Sequence, residues 1–278
     1  MSISLPTYTR REMPLLGRRH RLRAIIVTGL RREFKRPAAL VVTGLGVGVT
    51  LVGSIVMVLL SGVLLPGQPL NLSFFYRPAS NVAILFFVTL MASVVGSGLI
   101  ADDLNSMALT LYLSRPITHA DYLIAKAAVL APLIAMIAVL PLVLTPLIAA
   151  LLGLFSWAIA LEAIGLSFVL GLLYTAFYTS LTLLLSSLTR RKSYAAAGVF
   201  AVNFGLTIPA ELLSNALGNS TLLYVSPWND YLAVASAAFG ASDRALDWAV
   251  SLAILLTATV IASVLTYVRV RAVEVISG

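Results

Sequence analysis

The sequence contains no cysteine and only two histidines, His20 and His119. Disulfides, thiolate metal sites and cysteine nucleophiles are thereby excluded, and histidine is too scarce for a proton wire. Charge is also scarce: 11% of residues are Asp, Glu, Lys or Arg, against about 25% in soluble domains. No stretch matches GxxxxGK[ST], so the chain has no P-loop with which to bind ATP by itself. There is no internal repeat at a fixed period and no low-complexity tract. What remains is apolar, at 60% of 278 residues and a mean hydropathy of +0.99. A soluble globule, a disordered chain and a secreted disulfide scaffold do not fit. Six spans of about 20 residues would use ~120 apolar positions, so the composition suits an all-α, multi-pass protein of a cell membrane.

The net charge of +8 could suggest nucleic acid, but its distribution points to a membrane surface instead. Ten of the nineteen basic residues fall in the first 36. That segment is too basic and polar for a secretory signal peptide, and no cleavage is expected. Within it, Leu22, Ile25, Ile26, Leu30 and Phe34 recur at spacings of three and four among eight bases. The pattern predicts an amphipathic helix over 18–36, lying on anionic lipid of the inner leaflet.

Apolar segments follow at about 38–65, 81–101, 119–152, 156–188, 193–213 and 248–268. With six spans, seventeen basic residues collect on one side and only Arg77 and Arg244 on the other. The positive-inside rule then places both termini in the cytoplasm. Trp157, Trp228 and Trp248 fall at outer edges, and Tyr112, Tyr122, Tyr194 and Tyr267 at inner ones, as aromatic belts would. The third and fourth segments exceed 30 residues, about 50 Å of helix against a ~30 Å core. Pro132, Pro141 and Pro146 predict kinks in the third. The stretch 214–247 reads as an outer loop with short helices. Glycines at Gly44, Gly46, Gly48, Gly53, Gly96 and Gly98 suit close helix packing.

The segment from Asp102 to Asp121 carries the most pattern. Asp102 or Asp103 can cap a short helix, whose Leu104, Met107, Ala108 and Leu111 would share one face. Ser114, Arg115 and Pro116 would end it. Thr118 with Asp121 three residues on begins the next helix as a near capping box. An ordinary capped loop fits the pattern alone equally well. A charge inside a span is costly. Apart from Asp121 at the very start of the third segment, only Glu162 and Glu211 are carboxylates within the spans, both toward outer ends. They could bind a cation or polar substrate group on a translocation path, or reach interfacial water as structural residues; the second reading is favoured. Met57, Met91 and Met136 read as packing, and no metal site is expected.

Leu113-Ser114-Arg115-Pro116-Ile117-Thr118 with Tyr122-Leu123-Ile124-Ala125-Lys126 resembles the first cytoplasmic loop of type-2 ABC exporter permeases. Leu30-Arg31-Arg32-Glu33-Phe34-Lys35-Arg36-Pro37 is similar to their basic elbow helix, and Leu223-Tyr224-Val225-Ser226-Pro227-Trp228 to their outer loop. One departure is visible, since Asn105 to Thr110 lacks the glycine usual in the loop helix. The resemblance implies a half-transporter that dimerises with a second copy or a close relative. It also implies an ATP-binding cassette subunit, with ATP and Mg bound there and no cofactor on this chain. The coupling residues would be Asp102, Asp103, Leu104, Met107, Ala108, Leu111, Ser114, Arg115 and Pro116, in the loop 102–118. The alternatives are a self-contained secondary transporter or channel, and a lipid-acting membrane enzyme. The first would want charges at the membrane centre, and the sparse intramembrane charge counts against it. The second would need a nucleophile or metal constellation near the interface, and none is found in the sequence.

Overall fold

The structure, a computed structural model, describes residues 17–64, 71–107, 117–241 and 246–276, with backbone alone at 61–64 and 273–276. Among these residues every regular element is helical. Helix α1 (Arg18–Phe34) precedes the first span, α2 (Pro37–Leu64). A 3₁₀ turn (Leu72–Phe75) and the single turn α3 (Tyr76–Ala79) lead to the second span. That span comprises α4 (Val82–Met91), a π turn (Ala92–Gly96) and α5 (Gly98–Asn105). The third span is α6 (His119–Ala138) with α7 (Leu140–Leu151); the fourth is α8 (Trp157–Leu188) and the fifth α9 (Lys192–Leu217). A 3₁₀ turn (Ser220–Val225) and α10 (Pro227–Ala238) separate the fifth span from the sixth, α11 (Trp248–Ile276). Six stretches of helix are long and apolar enough to cross a bilayer.

The third span interrupts at Val139, two residues before Pro141. Pro141 has no N–H to donate to Ile137, so the helix loses one bond there. Pro132 and Pro146 lie inside helices without ending them. The second span is the most enclosed of the six, and the fifth and sixth the least.

Apolar burial does little to hold helices together in lipid, where close packing and interhelical hydrogen bonds matter more. The bundle uses both. A Cβ on Gly96 would overlap the side chains of Thr182 and Leu130, so glycine there lets the second, third and fourth spans close up. A Cβ on Gly46 would press on Ile137 and Phe87 at 3.1 Å, whereas Gly44 and Gly48 meet nothing among the described residues. Asn203 of the fifth span donates to Thr89 of the second at 2.7 Å and accepts from Tyr178 of the fourth.

The π turn creates the tightest of these links. Its i→i−5 bond, Ser97 N–H to the Ala92 carbonyl at 2.9 Å, puts the backbone out of register with an α-helix. Ser186 of α8 fills the gap. Its hydroxyl donates to the Ser97 carbonyl at 2.7 Å and accepts from the amides of Ile100 and Ala101, each at 3.0 Å. One side chain thus satisfies three backbone groups of a neighbouring span.

Two aromatic residues expected at the membrane edges are interior instead. Trp228 is buried, stacked on Tyr231 at 5.4 Å and edge-on to Tyr174 at 5.9 Å. Tyr122 is buried too, because its hydroxyl has a carboxylate partner within the bundle. Trp157, Trp248, Tyr194 and Tyr267 are exposed.

Candidate functional site

The antiparallel order of the spans brings Pro37, Asn105, His119, Leu188 and Lys192 to one end of the bundle, with α1. Three polar links tie the helices there. Thr118 caps α6: its hydroxyl accepts from the Asp121 amide at 3.2 Å, and its own amide donates to the Asp121 carboxylate at 3.3 Å. The capping box leaves most of that carboxylate available, and Arg18 takes it. Arg18 Nη2 donates to Oδ1 at 2.7 Å and Nε to Oδ2 at 3.0 Å, a two-pronged contact that fixes α1 to the start of the third span.

Helix α1 turns a half-buried stripe through Arg21, Leu22, Ile25, Ile26, Gly29, Leu30 and Glu33. The stripe faces α6 and ends on buried Glu33, whereas Phe34 is exposed. Contact is closest at Gly29, where a Cβ would come within 2.7 Å of Val129. Glu33 is compensated by its own helix end, accepting from Arg32 Nε at 3.1 Å and Arg36 Nη1 at 2.8 Å.

The third link changes the expected course of the segment after the second span. Asp102 and Asp103 do not begin a new helix; they lie in the last turn of α5, which runs on to Asn105. A carboxylate near a helix C-terminus is disfavoured by the helix dipole, so the extension needs compensation. Asp103 obtains it from the third span, where Lys126 Nζ lies 2.6 Å from Oδ2 and Tyr122 donates to the same oxygen at 2.7 Å. Lys126 also stands over the Tyr122 ring, 5.2 Å from its centre. Both charged side chains are largely buried, so the pair is shielded from bulk water.

Leu104 is half-buried against the core, while Asp102 and Met107 are exposed. Ser106 closes the helix by donating to the Asp102 carbonyl at 2.7 Å. Met107 then takes a positive φ of 54°, uncommon for a residue with a Cβ. Leu104 and Met107 therefore do not continue one helical face. Ala108, Leu111, Ser114, Arg115 and Pro116 lie outside the described residues. Glu162 and Glu211 are exposed on the bundle surface toward its other end. Lys126 and Arg18 were missed as site residues by sequence reasoning, although a lysine inside an apolar run five residues after a capping box is a visible signal.

Two helices thus leave the bundle at this end as a tied pair, and the chain between them carries an exposed methionine. With that geometry in view, the comparison with known families is decisive. The family model described as ABC-2 family transporter protein matches residues 53–274. The chain belongs to the ABC-2 transporter family. It is accordingly a permease, the membrane subunit of an ABC transporter, and membership implies partnership with an ATP-binding cassette subunit. The ATPase of such a transporter is not this subunit. No curated protein matches the chain. The matched residues include all three partners of the Asp103 link, whereas α1 lies ahead of them.

Proposed function

We propose that this permease is the membrane half of an exporter. ATP and Mg bind to separate cassette subunits, whose closure drives translocation. The end that carries α1 faces the cytoplasm together with both termini, since the order of the spans along the sequence assigns seventeen of the nineteen basic residues to that side. A second copy or a close relative completes the transporter, and the two permeases open outward between them when the cassettes close.

The observation that carries this reading is the Asp103, Lys126 and Tyr122 link. It ties the end of the second span to the third, so a push on the loop between them moves two spans together. The loop begins at exposed Met107, and its expected apolar residues Ala108 and Leu111 need a surface to rest on. A docking surface on a partner supplies one. Asp102, Ser114, Arg115 and Pro116 frame that contact. Direction of transport rests on the resemblance to exporter permeases at Leu113–Lys126.

Met107→Glu and Leu111→Glu test the docking. A carboxylate desolvated without a partner costs several kcal/mol, roughly 3 or more, while the spans are untouched. Both variants should insert and fold normally yet lose co-purification with the cassette subunit and ATP-driven transport. Normal partner binding with normal transport in both would end the coupling assignment.

A further inference from the structure

Of the four charged residues buried among the described residues, Glu33, Asp121 and Lys126 sit in ion pairs. The fourth, Asp230, does not. It is fully shielded from solvent, and neither carboxylate oxygen has a hydrogen-bond partner. It stands on α10, between the fifth and sixth spans, and borders a cavity of about 360 Å³. Apolar side chains make up almost all of the wall: Phe177 and Leu184 on the fourth span, Val202 on the fifth, and Ile254, Ala258 and Ile261 on the sixth. Seven residues separate Phe177 from Leu184 and Ile254 from Ile261, so the groove runs about 10 Å along the helices. Tyr224 and Asp230 border it at the α10 end.

A carboxylate without a countercharge in such surroundings is unstable as an anion. It must hold a proton or face a cation. Among the described residues, the titratable and charged groups on the surrounding elements do not supply one. They are Tyr76 and exposed Arg77 on α3, Tyr174 and Tyr178 on α8, Glu211 on α9, Tyr224 on the 3₁₀ turn, and Asp247 at the head of α11. Tyr231 on α10 itself is neutral, since burial pushes its hydroxyl well up. The hydroxyl of Ser251 stands beside Asp230 outside hydrogen-bond geometry and favours the ionised carboxyl, but burial outweighs it.

We propose that this groove binds amphipathic organic cations, with an ammonium head paired to Asp230 and a hydrocarbon body lying against Phe177, Val202 and Ala258. Charge complementarity selects the head and the apolar wall selects the body. The volume falls in the range of about 300–1,000 Å³ that accommodates small organic ligands. When the groove is empty, Asp230 keeps its proton below about pH 7, because burial pushes the carboxyl up to about that value. As the cation enters, the carboxyl turns toward the groove and releases that proton to solvent. One positive charge replaces another, and nothing is oxidised or reduced. Proton and cation therefore compete for one site.

The proposal goes beyond the coupling role and does not depend on it, because binding is measured without the cassette subunit. The full-length chain in phosphatidylcholine nanodiscs is titrated with decyltrimethylammonium, whose charge does not change with pH, and with uncharged decanol. The cation should bind saturably and at least about tenfold tighter than the alcohol above pH 7. Below that, its affinity should fall by up to about tenfold per pH unit as the proton competes. Asp230→Asn should abolish both the cation preference and the pH dependence. Ala258→Trp, which fills the groove from the sixth span, should abolish saturable binding. If the asparagine variant fails to fold, the pH profile of the natural chain and the tryptophan variant decide. Equal binding of cation and alcohol, affinity independent of pH, or unchanged binding in Ala258→Trp would overturn the proposal, and none of these would affect the docking test.

Discussion

At the end of the bundle that carries α1, Glu33, Asp121 and Lys126 are buried and each has an oppositely charged partner; at the other end Asp230 is as deeply buried and has none. The paired charges tie elements together. Arg18 with Asp121 holds α1 to the third span, and Asp103 with Lys126 holds the second span to the third. Such ties act as structure whatever is bound. The unpaired charge can do no tying, and its state depends on what occupies the space beside it. Burial of charge thus signals rigid linkage in one region and exchange in the other, and the difference lies in the partner.

The largest effect is expected where a paired charge loses its partner. Asp103→Leu removes the carboxylate facing Lys126 and should lower stability by about 3 kcal/mol, read as a fall in the thermal midpoint of the purified protein. Asp103→Leu with Lys126→Met should recover most of that loss, because an apolar pair of similar volume is often as stable as a buried ion pair. Failure of the double variant to recover would mean that the two side chains are not one unit.

The unpaired end should respond in the opposite sense. Asp230 binds its proton more tightly when folded than unfolded, since its carboxyl rises from 3.8 to about 7. Its contribution is therefore fully present below the unfolded value and is lost as pH rises to about 7. Asp230→Asn mimics the protonated acid and should remove this dependence. The variant should match the natural chain near pH 4 and exceed it in thermal midpoint above pH 7. A natural chain whose stability does not fall across this window would contradict the absence of a countercharge.

The smallest effect belongs to Arg18→Ala. Arg18 is 66% exposed in its side chain, so solvent screens most of the attraction and the loss should be about 1 kcal/mol or less. The thermal midpoint should hardly move. Proteolysis between α1 and the first span is the sharper readout, and it should quicken if the contact with Asp121 holds α1 in place.

Much of the architecture was legible in the sequence because membrane spans are written in continuous apolar runs. The alternation of basic residues between connecting segments follows from the same arithmetic, and Thr118 with Asp121 forms the capping box that their spacing suggests. The end of the second span was not legible. Its helix continues through Asp102 and Asp103 because Lys126, twenty-three residues past Asp103, neutralises the last turn, and such a contact leaves no local signal. Trp228 and Tyr122 show the same limit from another side. An aromatic residue at the edge of an apolar run can serve a membrane belt or an interior cluster, and only the fold decides. Ser186 was silent for a related reason, being one hydroxyl among many in the fourth span. Asp230 sat in a stretch set aside as an outer loop, where a carboxylate is unremarked until its burial is known.

The proposed contact between the loop beginning at Met107 and the ATP-binding cassette subunit can be probed by cross-linking. The chain has no cysteine, so single cysteines can be placed at will. Met107→Cys and Glu162→Cys are compared in membranes that contain both subunits, using a short cross-linker that joins a thiol to an amine. A permease–cassette adduct should form from position 107 and none from position 162. An adduct from 162, or none from 107 while the two subunits still co-purify, would contradict the proposed contact.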